Sequence, residues 1–256
     1  MKKFIAIQLI FVFACICPAQ KQNPFQKPLP VRDGFVLDGI DGKITSTKDD
    51  QWFFTVYESL TDGKGVASPK TPMKIMPSSM LEKLIAAVSP EKNSYRIWGK
   101  LTTFQGKNFV YLTYFMPVTE TNEPKQQAVE SVDANETQII PDDVLALLKP
   151  KRVISLAELK KPLGTEADGI LADRTGFLRK TEDGLYFGFD AMGRNIDLLQ
   201  LPLLPCDILE MMKNQQDASG MPLRFKISAI VTRYKGKNYL LLQRATRAYN
   251  CGNFAK

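Results

Sequence analysis

Residues 95–112 read YRIWGKLTTFQGKNFVYL, and residues 225–242 read FKISAIVTRYKGKNYLLL. The two stretches align at a constant offset of 130 residues, the spacing that separates Gly106 from Gly236. An isoleucine, a threonine, the Gly-Lys-Asn triplet and the final leucine are identical, and most other inward positions exchange within one residue class. Similarity at a fixed spacing is the signature of a repeated supersecondary unit. We therefore expect two copies of one structural unit.

Each repeated stretch has the pattern of a half-buried strand followed by a turn. In the first copy, Tyr95 and Ile97 alternate with Arg96, Trp98 and Lys100, so the two sets face opposite sides of a strand. The glycine and asparagine of each Gly-Lys-Asn triplet tolerate the positive φ angles of tight turns. An apolar run follows each triplet, so each copy predicts a β-hairpin.

A short helix is predicted upstream of each hairpin. Ser79 and Glu82 have the spacing of a capping box, and Asp207 and Glu210 repeat that spacing in the second half. Apolar residues then recur at helical spacing, which predicts one buried stripe on each helix.

Shorter strands are predicted before each helix. Two strands joined by a polar turn, followed by a third short strand, fit the apolar segments of both halves. These strands correspond to residues 42–44, 52–56 and 73–76 in the first half, and to residues 176–178, 185–189 and 196–201 in the second. Each half therefore has the order strand, strand, strand, helix, strand, strand.

This order resembles the OB-fold, a five-stranded Greek-key barrel. The resemblance covers residues 34–118 and 168–248 and implies a β-rich fold with minor α content: two small OB-like antiparallel barrels in tandem. The hairpins are also similar to those of uncharacterised exported bacterial proteins that carry such repeats, a likeness that implies no activity. Other small antiparallel barrels or half-barrels capped by one helix stay open as alternatives.

The N-terminus has the organisation of a secretory signal. Lys2 and Lys3 precede an apolar run, and residues 17–19 resemble a small-x-small cleavage site, so we expect residues 1–19 to be a signal peptide. The run of about 13 residues is shorter than the ~20 that span a bilayer. A lipoprotein anchored through Cys15 is the less favoured alternative. We expect an exported protein, periplasmic or associated with the envelope, without a transmembrane span.

The remaining segments flank or connect the two units. Residues 20–33 contain three prolines and predict an extended tether. Residues 119–167 begin with a polar stretch and predict a linker that carries a short helix at residues 141–149. Residues 249–256 are expected to form a C-terminal tail.

Composition narrows the possible chemistry. The chain has 256 residues, 44% hydrophobic and 24% charged, enough for one large or two small globular domains. It contains no histidine, which excludes Ser-His-Asp and Cys-His catalysis and metal sites that need imidazole. The adjacent acids at 49–50 and 142–143 fit a turn and a helix start, and the serines at 78–79 fit helix capping. We therefore expect a non-catalytic protein with no metal and no cofactor.

Two cysteines follow the predicted signal peptide, Cys206 and Cys251. In an oxidising compartment a disulfide between them would persist. A buried thiol at Cys206 and an inert one in the tail is the alternative, and the sequence leaves both open.

A basic segment without acids lies in the second half, between residues 222 and 248. Its candidate ligand-binding residues are Arg224, Lys226, Arg233, Lys235 and Lys237. Basic side chains beside tyrosines form the kind of surface with which OB-folds bind polymers. Trp98 and Lys100 occupy similar positions in the first half, where we expect stacking on sugars or on partner side chains. The alternative is a solvated strand face, on which lysine discourages edge pairing.

These features predict an exported cell-envelope binding or adaptor protein. Loss of Lys2 and Lys3 with the signal peptide lowers the formal net charge from +7 to +5, so the expected partner is an anionic envelope polymer or a protein surface. Nucleic acid is not the expected partner, because export separates the protein from it. The alternative is a structural or self-assembling envelope protein without a small ligand. Polyanion binding weakens steeply with salt, whereas apolar assembly does not.

Overall fold

The computed structural model describes residues 29–89, 93–118, 152–161, 168–190 and 199–249. Several predictions of the sequence lie outside these residues. They are the signal peptide with Cys15, most of the tether, most of the linker with its helix at residues 141–149, and the C-terminal tail after residue 249 with Cys251.

The first unit is a closed barrel of five strands. The chain enters the barrel through one long and one shorter strand, adds a two-stranded hairpin and a third short barrel strand, and then forms a helix before the repeated hairpin. The elements are β1 (Val36–Ser46), β2 (Trp52–Val56), β3 (Leu60–Thr61), β4 (Val66–Ala67), β5 (Met73–Ile75), α1 (Ser79–Ala87), β6 (Ser94–Phe104) and β7 (Lys107–Pro117). The barrel order is β1-β2-β5-β7-β6, and β3 and β4 form a separate two-stranded sheet.

The second unit is a five-stranded sheet with the same order of pairing. A 3-10 helix, η1 (Glu158–Lys160), precedes the sheet. The elements that follow are β8 (Gly169–Thr181), β9 (Gly184–Phe189), β10 (Gln200–Pro202), α2 (Asp207–Ser219), β11 (Arg224–Tyr234) and β12 (Lys237–Arg247). The strand order is β10-β9-β8-β11-β12.

The β-rich, OB-like fold is confirmed, with two differences from the expected pair of antiparallel barrels. The first barrel closes through a parallel pairing, in which Lys74 and Ile75 of β5 lie opposite Phe109 and Val110 of β7. In the described part of the second unit, the corresponding closure is reduced to an isolated parallel bridge between Leu203 and Leu240. The second unit is therefore an open sheet with a seam between β10 and β12.

The two units share their cores. Most buried apolar residues form two clusters, one inside each unit. Met76 and Tyr111 of the first unit belong to the cluster of the second, and Tyr234 of the second belongs to the cluster of the first. Burial of apolar surface is the main favourable term in folding, so this exchange couples the stability of the two units.

Both repeated hairpins turn at a pair of residues with positive φ. Gln105 and Gly106 have φ angles of 50° and 69°, and Lys235 and Gly236 have φ angles of 49° and 73°. This geometry is that of a two-residue hairpin turn, which needs positive φ at both central positions. The glycines of the triplets therefore act as expected, whereas the asparagines do not adopt positive φ.

The asparagines instead hold flanking segments through their side chains. Val31 donates its backbone N–H to Asn108 Oδ1 at 2.9 Å, and Asn108 Nδ2 donates to the carbonyl of Val31 at 2.7 Å. In the second unit, Asn238 Nδ2 donates to the carbonyls of Leu159 and Lys161 at 3.3 and 3.0 Å. Residues 29–33 and 152–161, expected in the tether and the linker, are thus packed parts of the two units.

Both predicted helices are present, but their capping differs from the expected boxes. The N-cap of α1 is Ser78, whose hydroxyl accepts from the backbone N–H of Leu81 at 3.1 Å. The N-cap of α2 is Cys206, which makes no side-chain capping bond. The capping boxes expected at Ser79 and Asp207 are therefore wrong, because the helices begin one residue earlier than those boxes require.

Cys206 is 1% exposed and is a free thiol. Desolvation by burial raises its pKa to about 12. The disulfide with Cys251 stays a prediction, because Cys251 lies outside the described residues.

Candidate ligand-binding cleft between the units

Reciprocal contacts fix the two units against each other. Glu82 of α1 accepts a hydrogen bond from the backbone N–H of Lys235, in the turn of the second hairpin. Glu210 of α2 accepts from the backbone N–H of Gln105, in the turn of the first hairpin, at 2.6 Å. The glutamates expected to close capping boxes therefore bind the opposite unit.

A second reciprocal pair of contacts involves the acids that precede the first strand of each unit. Asp168 accepts from the hydroxyls of Ser79 and Thr232, at 2.9 and 2.6 Å, and from the hydroxyl of Tyr111. Asp33 accepts from the backbone N–H groups of Thr103 and of Asp207 in α2, at 2.8 and 3.2 Å.

Tyr111 is the buried member of the Asp168 network. Its side chain belongs to the second core cluster, and it is fully buried. Burial and the adjacent Asp168 carboxylate raise the pKa of Tyr111 well above its ordinary value. The phenol therefore stays protonated and acts as a hydrogen-bond donor to the carboxylate.

A cleft of about 910 Å³ lies where the seam of the second unit faces the first barrel. Its walls come from β9, β10 and β12, from the chain before α2, from η1 and the residue after it, and from β5 and β7 of the first unit. The lining residues used below are Lys74, Phe109, Lys161, Asp183, Gly184, Tyr186, Gly236, Lys237, Asn238 and Tyr239.

The charged side chains that line the cleft are mostly cationic. Within the described part of the chain, Lys74, Lys161 and Lys237 are accompanied by one lining carboxylate, Asp183. The bond from Asn238 Nδ2 to the carbonyl of Lys161 fixes the chain that carries Lys161 beside the turn that carries Lys237. The cleft therefore presents positive charge from three separate chain segments.

Aromatic residues complete the wall. Phe109, Tyr186 and Tyr239 line the cleft and are each partly exposed. Desolvation raises the pKa of Tyr239, and the nearby Tyr186 raises it further, so the Tyr239 hydroxyl stays a neutral donor. These side chains can stack on rings or cover apolar parts of a ligand.

The structure divides the five predicted basic residues between the two ends of β11. Arg224 and Arg233 are separated by nine residue steps, or about 30 Å along an extended strand. Arg224 pairs with Asp190, and Lys226 lies 3.5 Å from Asp173. Acids from other elements thus contact the basic residues at this end, although the segment itself has none.

At the other end of β11, two of the three predicted residues contact acids of the first unit. Arg233 lies 4.0 Å from Glu82, and Lys235 pairs with Asp50. Lys237 lines the cleft. Lys237 is therefore the one of the five predicted basic residues that lines the cleft, together with Lys74 and Lys161.

Trp98 and Lys100 lie away from the cleft, on the outer face of the first barrel. Trp98 Nε1 donates to Asp38 at 3.0 Å, and the Trp98 ring packs against Tyr114 with 5.4 Å between centroids. Lys100 Nζ donates to Gln243 Oε1 at 2.8 Å, so it connects the first barrel to β12.

Sequence reasoning missed Lys74, Lys161 and Tyr186. No local pattern connects residues 74, 161 and 186, since they meet only after the two units pack. The signal that could have indicated Lys161 is the repeated asparagine, because Asn108 and Asn238 hold equivalent flanking segments.

Within the described ranges, no group of three or more cysteine, aspartate or glutamate side chains is arranged to hold a metal ion. None of the helices in those same ranges is long and apolar enough to cross a membrane.

The sequence matches no known family model and no curated protein. Among solved structures, it is similar to a deletion mutant of the single-stranded DNA binding protein from Thermus aquaticus. The sequence identity is 10%, over 87% of this chain and 96% of that chain, with a TM-score of 0.21. At this TM-score the likeness supports no inference, so the fold assignment rests on the strand order and register described above.

Proposed function

We propose that the protein is a non-catalytic, exported binding protein of the cell envelope that holds an anionic polymer in the cleft between its units. The observation that carries the proposal is the convergence of Lys74, Lys161 and Lys237 around one cleft, in which Asp183 is the one lining carboxylate among the described residues. Lysines on three chain segments offer separated positive charges, which suit a ligand with repeated negative charges.

The turns at the mouth of the cleft support access by an extended ligand. A Cβ atom added at Gly184 or Gly236 would meet no atom within 4 Å, so both turns border open space. The lining tyrosines and Phe109 offer ring surfaces beside the lysines. A polymer with both charge and rings, such as an acidic polysaccharide, fits this combination.

Retention on immobilised dextran sulfate tests the proposal, with uncharged dextran as the reference matrix. Lys237→Glu places a negative charge in the cleft and is expected to weaken retention at low salt by tenfold or more. Lys107→Glu is the matched control, because Lys107 holds the same position in the first Gly-Lys-Asn triplet and does not line the cleft.

Two results would overturn the proposal. One is equal retention of the native protein and Lys237→Glu, and the other is equal weakening by Lys237→Glu and Lys107→Glu. The second result would indicate general charge attraction rather than a site. Retention of the native protein is expected to fall as salt rises, because bound counterions are released on association with a polyanion.

Self-assembly is the second candidate function, favoured by exposed apolar residues of the second unit. Met211, Met221 and Tyr249 are 40%, 68% and 70% exposed and line shallow depressions beside α2 and the end of β12. Sedimentation over a range of protein concentrations tests this candidate. A monomer at all concentrations in both low and high salt would exclude it.

A further inference from the structure

Both units have a β-bulge at equivalent positions in the pairing of the first and fourth barrel strands, but different side chains surround it. In the first unit the β1–β6 register shifts between Leu37 and Ile40, opposite Trp98. In the second unit the β8–β11 register shifts opposite Ser228, the position that aligns with Trp98. The pairing with the last strand of each unit is also shifted here. The β6–β7 register shifts between Trp98 and Gly99, and the β11–β12 register shifts between Ser228 and Ala229.

The second unit fills its bulge with an ion pair. Asp173 has a φ angle of 50°, and Arg244, which lies opposite Ser228 on β12, contacts the Asp173 carboxylate at 2.6 Å. Ser228 and this pair are enough to build the bulge, so the geometry does not need an aromatic residue.

The first unit fills the same bulge with two aromatic rings and a glycine. Trp98 packs against Tyr114, the residue that aligns with Arg244. Gly39, with a φ angle of 65°, aligns with Asp173, and a Cβ added at Gly39 would lie 3.4 Å from Cζ2 of Trp98. The positive φ angle favours glycine at this position, and a Cβ there would be in ordinary van der Waals contact with the Trp98 ring.

Polar groups with fixed orientations surround this aromatic pair. The Asp38 carboxylate accepts from the Trp98 indole N–H. Arg96 Nε and Nη2 donate to the two carboxylate oxygens of Asp41 at 2.7 and 2.8 Å, in a bidentate pair whose side chains are 50% and 36% exposed. The guanidinium and the carboxylates keep further hydrogen-bonding capacity toward solvent.

We propose that this outer face of the first barrel, the bulge face, is a saccharide-binding site in which a pyranose ring stacks on the Trp98–Tyr114 pair. The bulge face consists of Asp38, Gly39, Asp41, Arg96, Trp98 and Tyr114. The apolar face of a sugar ring covers aromatic surface, while its hydroxyls bond to carboxylate and guanidinium groups. The site is separate from the cleft and does not depend on it.

The carboxylates of the bulge face favour a neutral sugar over a polyanion as its ligand. Asp38 and Asp41 place two carboxylates beside the ring pair, against one guanidinium from Arg96. A phosphodiester or sulfate backbone would be repelled at close range, whereas a hydroxyl can donate to either carboxylate.

Fluorescence of Trp98 reports on the site directly. The chain has two tryptophans, so Trp52→Phe leaves Trp98 as the only indole. Titration of the full chain carrying Trp52→Phe with cellohexaose and with chitohexaose is expected to shift or quench the emission with saturation for at least one of them. Absence of a saturable change with both sugars would contradict the proposal.

Variants at the bulge separate stacking from folding. Trp98→Ser introduces the residue that the second unit has at this position, and it is expected to keep the fold but weaken retention on the immobilised sugar by tenfold or more. Trp98→Phe, which keeps a ring, is expected to retain part of the binding. Unchanged retention of Trp98→Ser, or equal loss in both variants with native circular dichroism, would contradict stacking.

The two sites give distinguishable outcomes. Lys237→Glu is expected to leave sugar binding unchanged, and Trp98→Ser is expected to leave retention on dextran sulfate unchanged. A sugar that binds the native protein and Trp98→Ser equally would overturn the inference without affecting the proposed cleft. Capture of a protein partner through Trp98 with no sugar binding would also overturn it.

Discussion

Glu210 of α2 accepts a hydrogen bond from the backbone N–H of Gln105 at 2.6 Å, so the helix of the second unit holds the hairpin turn of the first. Glu82 of α1 makes the reciprocal bond to the N–H of Lys235. Each contact spans more than a hundred residues of sequence, and together they join the units at two points. The cleft lies between units whose relative position these bonds help to fix.

Removal of one of these carboxylates is expected to destabilise the whole chain. Glu210→Ala leaves the N–H of Gln105 without its acceptor, which costs about 1 kcal/mol for a partly solvated hydrogen bond. Urea unfolding measures the change. Glu182→Ala, in the exposed turn between β8 and β9, is the control and is expected to change the free energy of unfolding by less than about 0.5 kcal/mol. Equal effects of the two substitutions would contradict the role of Glu210.

Tyr111→Phe tests the Asp168 network. The substitution removes the phenol that donates to Asp168 and is expected to cost roughly 2 kcal/mol at neutral pH, since the acceptor is charged. A loss below about 0.5 kcal/mol in urea unfolding would mean that this bond adds little to the coupling of the units.

The same substitution is expected to change the alkaline stability profile. The pKa of Tyr111 is raised in the folded protein, so its contribution is complete below the ordinary tyrosine pKa of about 10 and is lost as pH rises above that value. The free energy of unfolding of Tyr111→Phe is therefore expected to fall less steeply above pH 10 than that of the native protein. Parallel profiles would contradict the raised pKa.

Asp62 gives a prediction for acid conditions. Backbone N–H groups of Gly65, Arg32 and Lys64 donate to its carboxylate and lower its pKa to about 2. A depressed pKa stabilises the fold above the ordinary value near 4 and loses that contribution as pH falls toward 2. The carboxyl carbon resonance of Asp62 is expected to titrate near pH 2. A midpoint near 4 would show that these bonds are absent in solution.

The sequence predicted the parts of the fold that depend on neighbouring residues. Alternation around Trp98 and the glycines of the triplets located the hairpins, because side-chain period and positive φ are local properties. The surroundings of the basic segment of β11 could not be predicted in this way. Its acid partners, Asp173, Asp190 and Glu82, come from other elements, and only the folded chain brings them into contact.

The open seam of the second unit was not predicted for a similar reason. Closure of the first barrel depends on the pairing of β5 with β7, whereas the equivalent contact in the described part of the second unit is one bridge between Leu203 and Leu240. In each half the third strand overlaps the segment expected for it, so the hydrophobic pattern does not distinguish a closed barrel from an open one. The cleft follows from that difference.

Hydrogen exchange of the full chain, with and without dextran sulfate, tests the central claim that the cleft is the polymer site. We expect new protection in the two turns that line it, at residues 182–186 and 235–239, and in the segment at η1, residues 159–161. The opposite end of β11, around Arg224 and Lys226, is expected to exchange as in the free protein. Protection confined to that end, or no change at the cleft under conditions where the polymer is bound, would contradict the account.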